Sequence, residues 1–121
     1  YNKIGGFMEI LDKITNIVLL EEKVGKILEQ ISYLEIVEIV VVDGVVTKPS
    51  DYIKVLNKKI DDLESKRKEI IDELLQLDIE YFYQAYEEIA HAPMDKFKMM
   101  KLLTIFDLIE RKNTEMEGLK L

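Results

Sequence analysis

The sequence predicts an α+β fold: a small β-α-β(β) lobe, then a long coiled-coil-type helix kinked or broken near Pro93. Three observations predict it. A short Ile/Val/Leu-rich run and a strongly β-branched run flank an amphipathic stretch in the first third. An Asp-Gly pair sits between two pairs of valines. After Pro49, a 3-4 apolar repeat continues with neither Gly nor Pro before His91. The expected organisation is a lobe over 1–48 and a helical arm over 49–121 that ends in a short extended segment.

In chain order, Ile14 to Leu20 is short and apolar, as a buried strand should be. Glu21 and Glu22 then suit the positive end of a helix dipole. Val24, Ile27, Leu28, Ile31 and Leu34 recur at helical spacing and give one apolar stripe. Glu35 to Val42 (EIVEIVVV) reads as a second strand. Strands joined by a helix are normally parallel with a right-handed crossover. Asp43-Gly44 between Val41-Val42 and Val45-Val46 is a strong two-residue hairpin signal, because both turn positions need positive φ.

Pro49-Ser50-Asp51 marks a helix start. The heptad seam that follows is Ile53, Leu56, Ile60, Leu63, Arg67, Ile70, Leu74, Leu77 and Tyr81, apolar or aromatic except at Arg67. An unbroken helix to His91 would extend about 60 Å at 1.5 Å per residue. A second stripe (Ile71, Leu75, Ile79, Phe82, Tyr86, Ile89) widens the apolar face after Ile70. Ala92-Pro93 interrupts the helix, since the residue before proline avoids the helical region. Met94 to Arg111 is helical again, and apolar nearly all round between Phe97 and Ile109. Asn113-Thr114 is expected to end it.

Composition narrows the function. The 121 residues carry 17 basic and 24 acidic groups, for a net charge of -7. There is no basic stripe for nucleic-acid phosphates. With no Cys and one His, disulfides, thiolate zinc and multi-His metal sites are excluded. No apolar run approaches a membrane span of roughly 18 residues. The chain opens at Tyr1 rather than Met and is therefore read as a piece of a longer chain or a processed product.

Each remaining group has a plain reading. The pairs Asp61-Asp62, Asp72-Glu73 and Glu87-Glu88 are neighbours on a helix and point apart, so they form a solvated face rather than a catalytic dyad. His91 is a helix-end residue. Tyr81, Phe82, Tyr83 and Tyr86 read as core, as do Met94, Met99 and Met100. Gly5-Gly6 lies in no strand-loop-helix phosphate motif. Arg67 is the seam residue that can set register or partner choice, or simply snorkel. Val45 and Val46, β-branched at a hairpin tip, have no core to fill unless something docks there.

Two resemblances follow from these residues. Val55 to Gln76 (VLNKKIDDLESKRKEIIDELLQ) is similar to the first helix of helical chorismate mutases. Binding their dicarboxylate needs several cations, however, and Arg67 and Arg111 are the only arginines. The wider order resembles subunit I, the stator subunit a, of V/A-type rotary ATP synthases. Gly5-Gly6-Phe7 leads in, NIVLLEEKVGKILEQISYLEIVEIVVV is similar to that family's strand-helix-strand, and the helix from Ser50 to Phe106-Asp107-Leu108-Ile109-Glu110 is similar to its returning arm. Thr114-Glu115-Met116-Glu117-Gly118 resembles the re-entry into the proximal lobe, although Leu119 and Lys120 stand where an aromatic and Val are usual.

The resemblance implies a non-catalytic stator fragment at the cytoplasmic face of a membrane complex. It would have no cofactor and no small-molecule substrate. It would link the E/G peripheral stalk to the ion-translocating part, and would pack on the subunit's own outgoing helix, proximal lobe and membrane domain. The implied docking residues in the lobe are Glu22, Lys23, Lys26, Val45, Val46 and Lys48. The alternative is a β-α-β regulatory or ligand-sensing module on a coiled-coil dimerisation arm, self-associating across the 53–81 seam.

Overall fold

The computed structural model describes the backbone of residues 7–120 and the side chains of residues 8–115. The Gly5-Gly6 reading and Leu121 lie outside the described residues. In chain order the elements are α1 (Phe7–Leu34), β1 (Val40–Val42), β2 (Val45–Thr47), α2 (Pro49–Leu74), α3 (Ile79–His91) and α4 (Lys98–Lys120). The chain divides into two compact units, Tyr1–Leu19 with Lys68–Leu121, and Leu20–Arg67. The boundary expected at residues 48 and 49 falls within the second of these.

The expected β-α-β lobe is overturned: the chain is mostly helical, with a two-stranded antiparallel hairpin as its sheet. Ile14 to Leu20 is the middle of α1, not a strand. The physical reason is continuity of the helical period. Ile10, Ile14, Ile17 and Val18 are all buried, and they extend the stripe that Val24, Ile27 and Ile31 carry onward, with no Gly or Pro in α1 before Gly25. Packing of that stripe outweighs the modest helix reluctance of β-branched residues. Of Glu35 to Val42, only the last three residues form strand. Strand and helix in this lobe are therefore not alternating layers.

The hairpin forms as the turn residues require. Asp43 (φ 50) and Gly44 (φ 80) both take the positive φ of a two-residue turn. Val40 pairs with Thr47, Val41 with Val46 and Val42 with Val45. Pro49 then opens α2, where the missing amide hydrogen is harmless. The amides of Asp51 and Tyr52 donate to the Lys48 carbonyl at 3.0 and 3.2 Å and start the turn.

The arm is not one helix up to Pro93. It also breaks after Leu74, where the amides of Gln76 and Leu77 donate to carbonyls three residues back at 3.2 and 3.0 Å, tightening and ending the helix. Asp78 is extended (φ -67, ψ 148) and Glu80 lies in the first turn of α3. The break at Pro93 does occur: α3 stops at His91, and Ala92 is extended (φ -71, ψ 156), as the residue before proline prefers. The C-terminal extended segment is not formed, because α4 continues through Thr114 to Lys120.

In the discontinuous unit, Ile10, Ile14 and Ile17 of α1 share a core with Ile71 and Leu74 of α2, Leu77, Phe82, Ala85 and Ile89 around α3, and Ile105 and Leu108 of α4. Two lysines of α4 satisfy carbonyls that helix ends leave without amide partners. Lys98 Nζ donates to the Ala90 and Ala92 carbonyls at 2.9 and 2.8 Å, at the end of α3. Lys112 Nζ donates to the Leu75 carbonyl at 3.0 Å, just past α2. Lys13 Nζ meets Glu73 Oε2 at 2.7 Å, tying α1 to α2 in this unit.

Candidate functional site

In the contiguous unit, the latter part of α1 leads into the hairpin and the first part of α2 leads out of it. Glu21 Oε1 lies 3.5 Å from Arg67 Nε, and the two residues stand at nearly equal chain distances from the Asp43-Gly44 turn. That is the apposition expected of two antiparallel helices. Leu34 and Leu56 are buried in this unit, and Ile53, Ile60, Leu63 and Arg67 are half-buried. In the other unit Ile70 is half-buried, Leu74 and Leu77 are buried, and Tyr81 is at the margin of exposure. Apart from Leu77, which lies between α2 and α3, and Tyr81, which is exposed, the seam residues lie along the less exposed face of their helices. Their placement does not bring them together as a ligand site.

Arg67 is the polar exception within that seam. Its Nε is buried without a hydrogen-bond acceptor among the described residues. The 3.5 Å approach to Glu21 supplies charge attraction but no well-made hydrogen bond.

The hairpin presents the more telling surface. Val41 and Val46 lie directly opposite each other across the strands and so share a face. They are 61% and 67% exposed. Val45, on the other face, is also exposed, as are Tyr33, Ile36 and Ile39 in the approach to β1. Both strands of a two-stranded sheet are edges, with backbone groups open to another strand. Glu35, Glu38 and Asp43 are acidic neighbours of this apolar surface.

The other expected docking residues are placed elsewhere. Glu22 and Lys26 pair with each other at 3.5 Å on α1, where Lys23 is also exposed. Lys48 is exposed at the junction of β2 and α2. Sequence reasoning named Val45 and Val46 but missed Tyr33, Ile36, Ile39 and Val41. The missed signal was EIVEIVV itself, in which the acids break the run before a full strand can form.

The remaining candidates offer little chemistry. No group of three or more His, Asp and Glu able to hold a metal occurs among the described residues. Gln84, Glu87, Glu88 and His91 line an open surface depression on α3 alone, where His91 Nδ1 lies 2.8 Å from the Glu87 carbonyl. Of the aromatic group, Phe82 is buried and Tyr86 half-buried, with the Tyr86 ring centroid 5.3 Å from that of Phe106. Tyr83 is exposed, and so are Met94 and Met99, which were expected in the core. Among the described residues no helix is long and apolar enough to cross a membrane. Compared with known families, characterised proteins and solved structures, the chain gives no match.

Proposed function

We propose that the chain is a non-catalytic docking strut. Its β-hairpin binds a protein partner, and the stretches of α1 and α2 on either side of it within Leu20–Arg67 carry the load of that contact. The assembly proposed is the stator of a V/A-type rotary ATP synthase, at the cytoplasmic face of its membrane, with the E/G peripheral stalk as the partner. The single observation that supports docking is the pair Val41 and Val46, exposed on one face of an edge-open hairpin. Apolar β-branched pairs on a two-stranded sheet gain little unless another surface covers them. The choice of assembly rests on the order and pattern from Gly5 to Gly118. Its strand-helix-strand portion is withdrawn, so docking is assigned to the hairpin and its approach rather than to a β-α-β lobe.

The strut acts by stiffness rather than chemistry and needs no cofactor or small-molecule substrate. The test is retention of the chain on immobilised E/G stalk. Wild type should be retained, and a Val41→Lys, Val46→Lys double variant should be lost while keeping its helical circular dichroism. No retention of wild type, or equal retention of both, sinks the proposal.

A further inference from the structure

The outer face of α4 carries a second, self-complementary seam. Met99, Leu103 and Phe106 are 63%, 58% and 49% exposed, whereas Ile105 and Leu108 on the same helix are fully buried. At 100° per residue, the exposed three lie on the side away from the buried pair. Their spacing of 4 then 3 continues to Lys96 before them and Glu110 after them. The run 96, 99, 103, 106, 110 therefore keeps a 3-4-3-4 spacing with an apolar middle and opposite charges at its two ends, its first member, Lys96, standing in the turn just before α4 with Nζ 5.0 Å from the Phe97 ring centroid. Glu110 is exposed and makes no ion pair among the described residues. Asp95, whose Oδ1 also accepts the Phe97 amide at 2.7 Å, and Arg111, which also pairs with Asp107 at 3.0 Å, repeat the charge contrast with the signs reversed.

We infer that this face binds a second copy of the chain, α4 against α4 and antiparallel, with the two-fold axis at Leu103. In that register Leu103 meets its own counterpart and Phe106 lies over Met99 and Met100 of the second copy. Lys96 faces the second copy's Glu110, and Asp95 faces its Arg111. A parallel pair would set Lys96 against Lys96 and Glu110 against Glu110, and like charges across an interface oppose association. The charge order thus selects one direction, and an isologous contact of this kind closes as a dimer. Three apolar positions per copy make a small interface, below the roughly 1,200 Å² that marks the weak class. The dimer accordingly forms and dissociates with concentration. The contact is independent of the hairpin and of the stalk reading.

Sedimentation equilibrium of the full chain from micromolar to millimolar concentration tests this. Wild type should pass from monomer to dimer. Leu103→Glu places two carboxylates at the axis and should weaken dimerisation at least about tenfold, with helical content unchanged because the site is exposed. Lys96→Glu and Glu110→Lys should each weaken it, and the two together should restore it. Restoration is a readout that simple misfolding does not produce. A wild-type chain that stays monomeric throughout overturns the inference. So does a dimer that Leu103→Glu leaves intact, or one that Val41→Lys with Val46→Lys abolishes. Failure of the double charge swap to restore association overturns the antiparallel register.

Discussion

Replacing Arg67 with Met should stabilise the protein. At 3.5 Å from Glu21, the charge pair has a Coulomb attraction of about 1 kcal/mol in water and about 5 kcal/mol at an effective dielectric of 20. The side chains retain 27% and 33% exposure, which puts the pair near the aqueous end, within the range of up to about 1 kcal/mol for solvated pairs. Against this stands the ordering of a long side chain, up to about 2 kcal/mol. The buried Nε also lacks an acceptor, which costs a further 1–3 kcal/mol or so. Methionine keeps the aliphatic stem in the seam at a similar ordering cost and removes the unpaired Nε, while Glu21 stays partly hydrated. The net expectation is a gain of about 1 kcal/mol, or a Tm rise of about 4 °C. Urea unfolding followed by circular dichroism measures it, and an unchanged m-value assigns it to stability. A double-mutant cycle with Glu21→Gln should give a coupling below about 1 kcal/mol. A loss of 1 kcal/mol or more in Arg67→Met would refute the reasoning and make the pair a net source of stability.

Other consequences are equally direct. Phe82→Ala, at a fully buried ring in the shared core, should cost about 3–5 kcal/mol in urea unfolding; a loss under 1 kcal/mol would show that the core collapses around the gap. Lys98→Met removes the ammonium from the Ala90 and Ala92 carbonyls and should cost about 1 kcal/mol, since water can replace part of the contact. Amide exchange should rise selectively in the last turn of α3, and a uniform change along the chain would contradict a capping role. Gly44→Ala has room for the added methyl group but keeps φ at 80, so the cost of about 1 kcal/mol should come from the backbone alone. Cross-strand NOEs between Val41 and Val46 report it, and their persistence with unchanged stability would count against a strained turn.

What could be read from the sequence depended on how local its cause was. Asp43-Gly44 and Ala92-Pro93 act through their own backbone restrictions, and both appear where expected. The helix over Val24 to Leu34 was also legible, because period carries the signal, although Leu28 of its stripe is exposed. Ile14 to Leu20 was misread because a short apolar run does not distinguish a buried strand from a buried helix turn. Ile10, upstream at helical spacing, was the deciding residue. The break after Leu74 was missed because it contains neither Gly nor Pro. Asp78 followed by Glu80 is a helix-start signature in retrospect. The acceptor role of the Leu75 carbonyl depends on Lys112, which no local window includes. Of the candidate sites, the valines of the hairpin were legible because they had no core to fill. The outer face of α4 was seen as apolar all round, but which side would be covered depends on packing with α3.

The discontinuity of the larger unit has a consequence for biosynthesis. Ile105 and Leu108, which complete the core of Ile10, Ile14 and Ile17, are translated some 90 residues after them. At about 5–20 residues per second, this apolar face waits about 5–20 s for its partners. The segment from Leu20 to Arg67 is contiguous and can close around its own turn during that interval. If it does so, the nascent chain would hold a closed hairpin while an unsatisfied isoleucine stripe lies N-terminal to it. That stripe is where a chaperone would engage, and where slowed elongation before α4 would lead to aggregation.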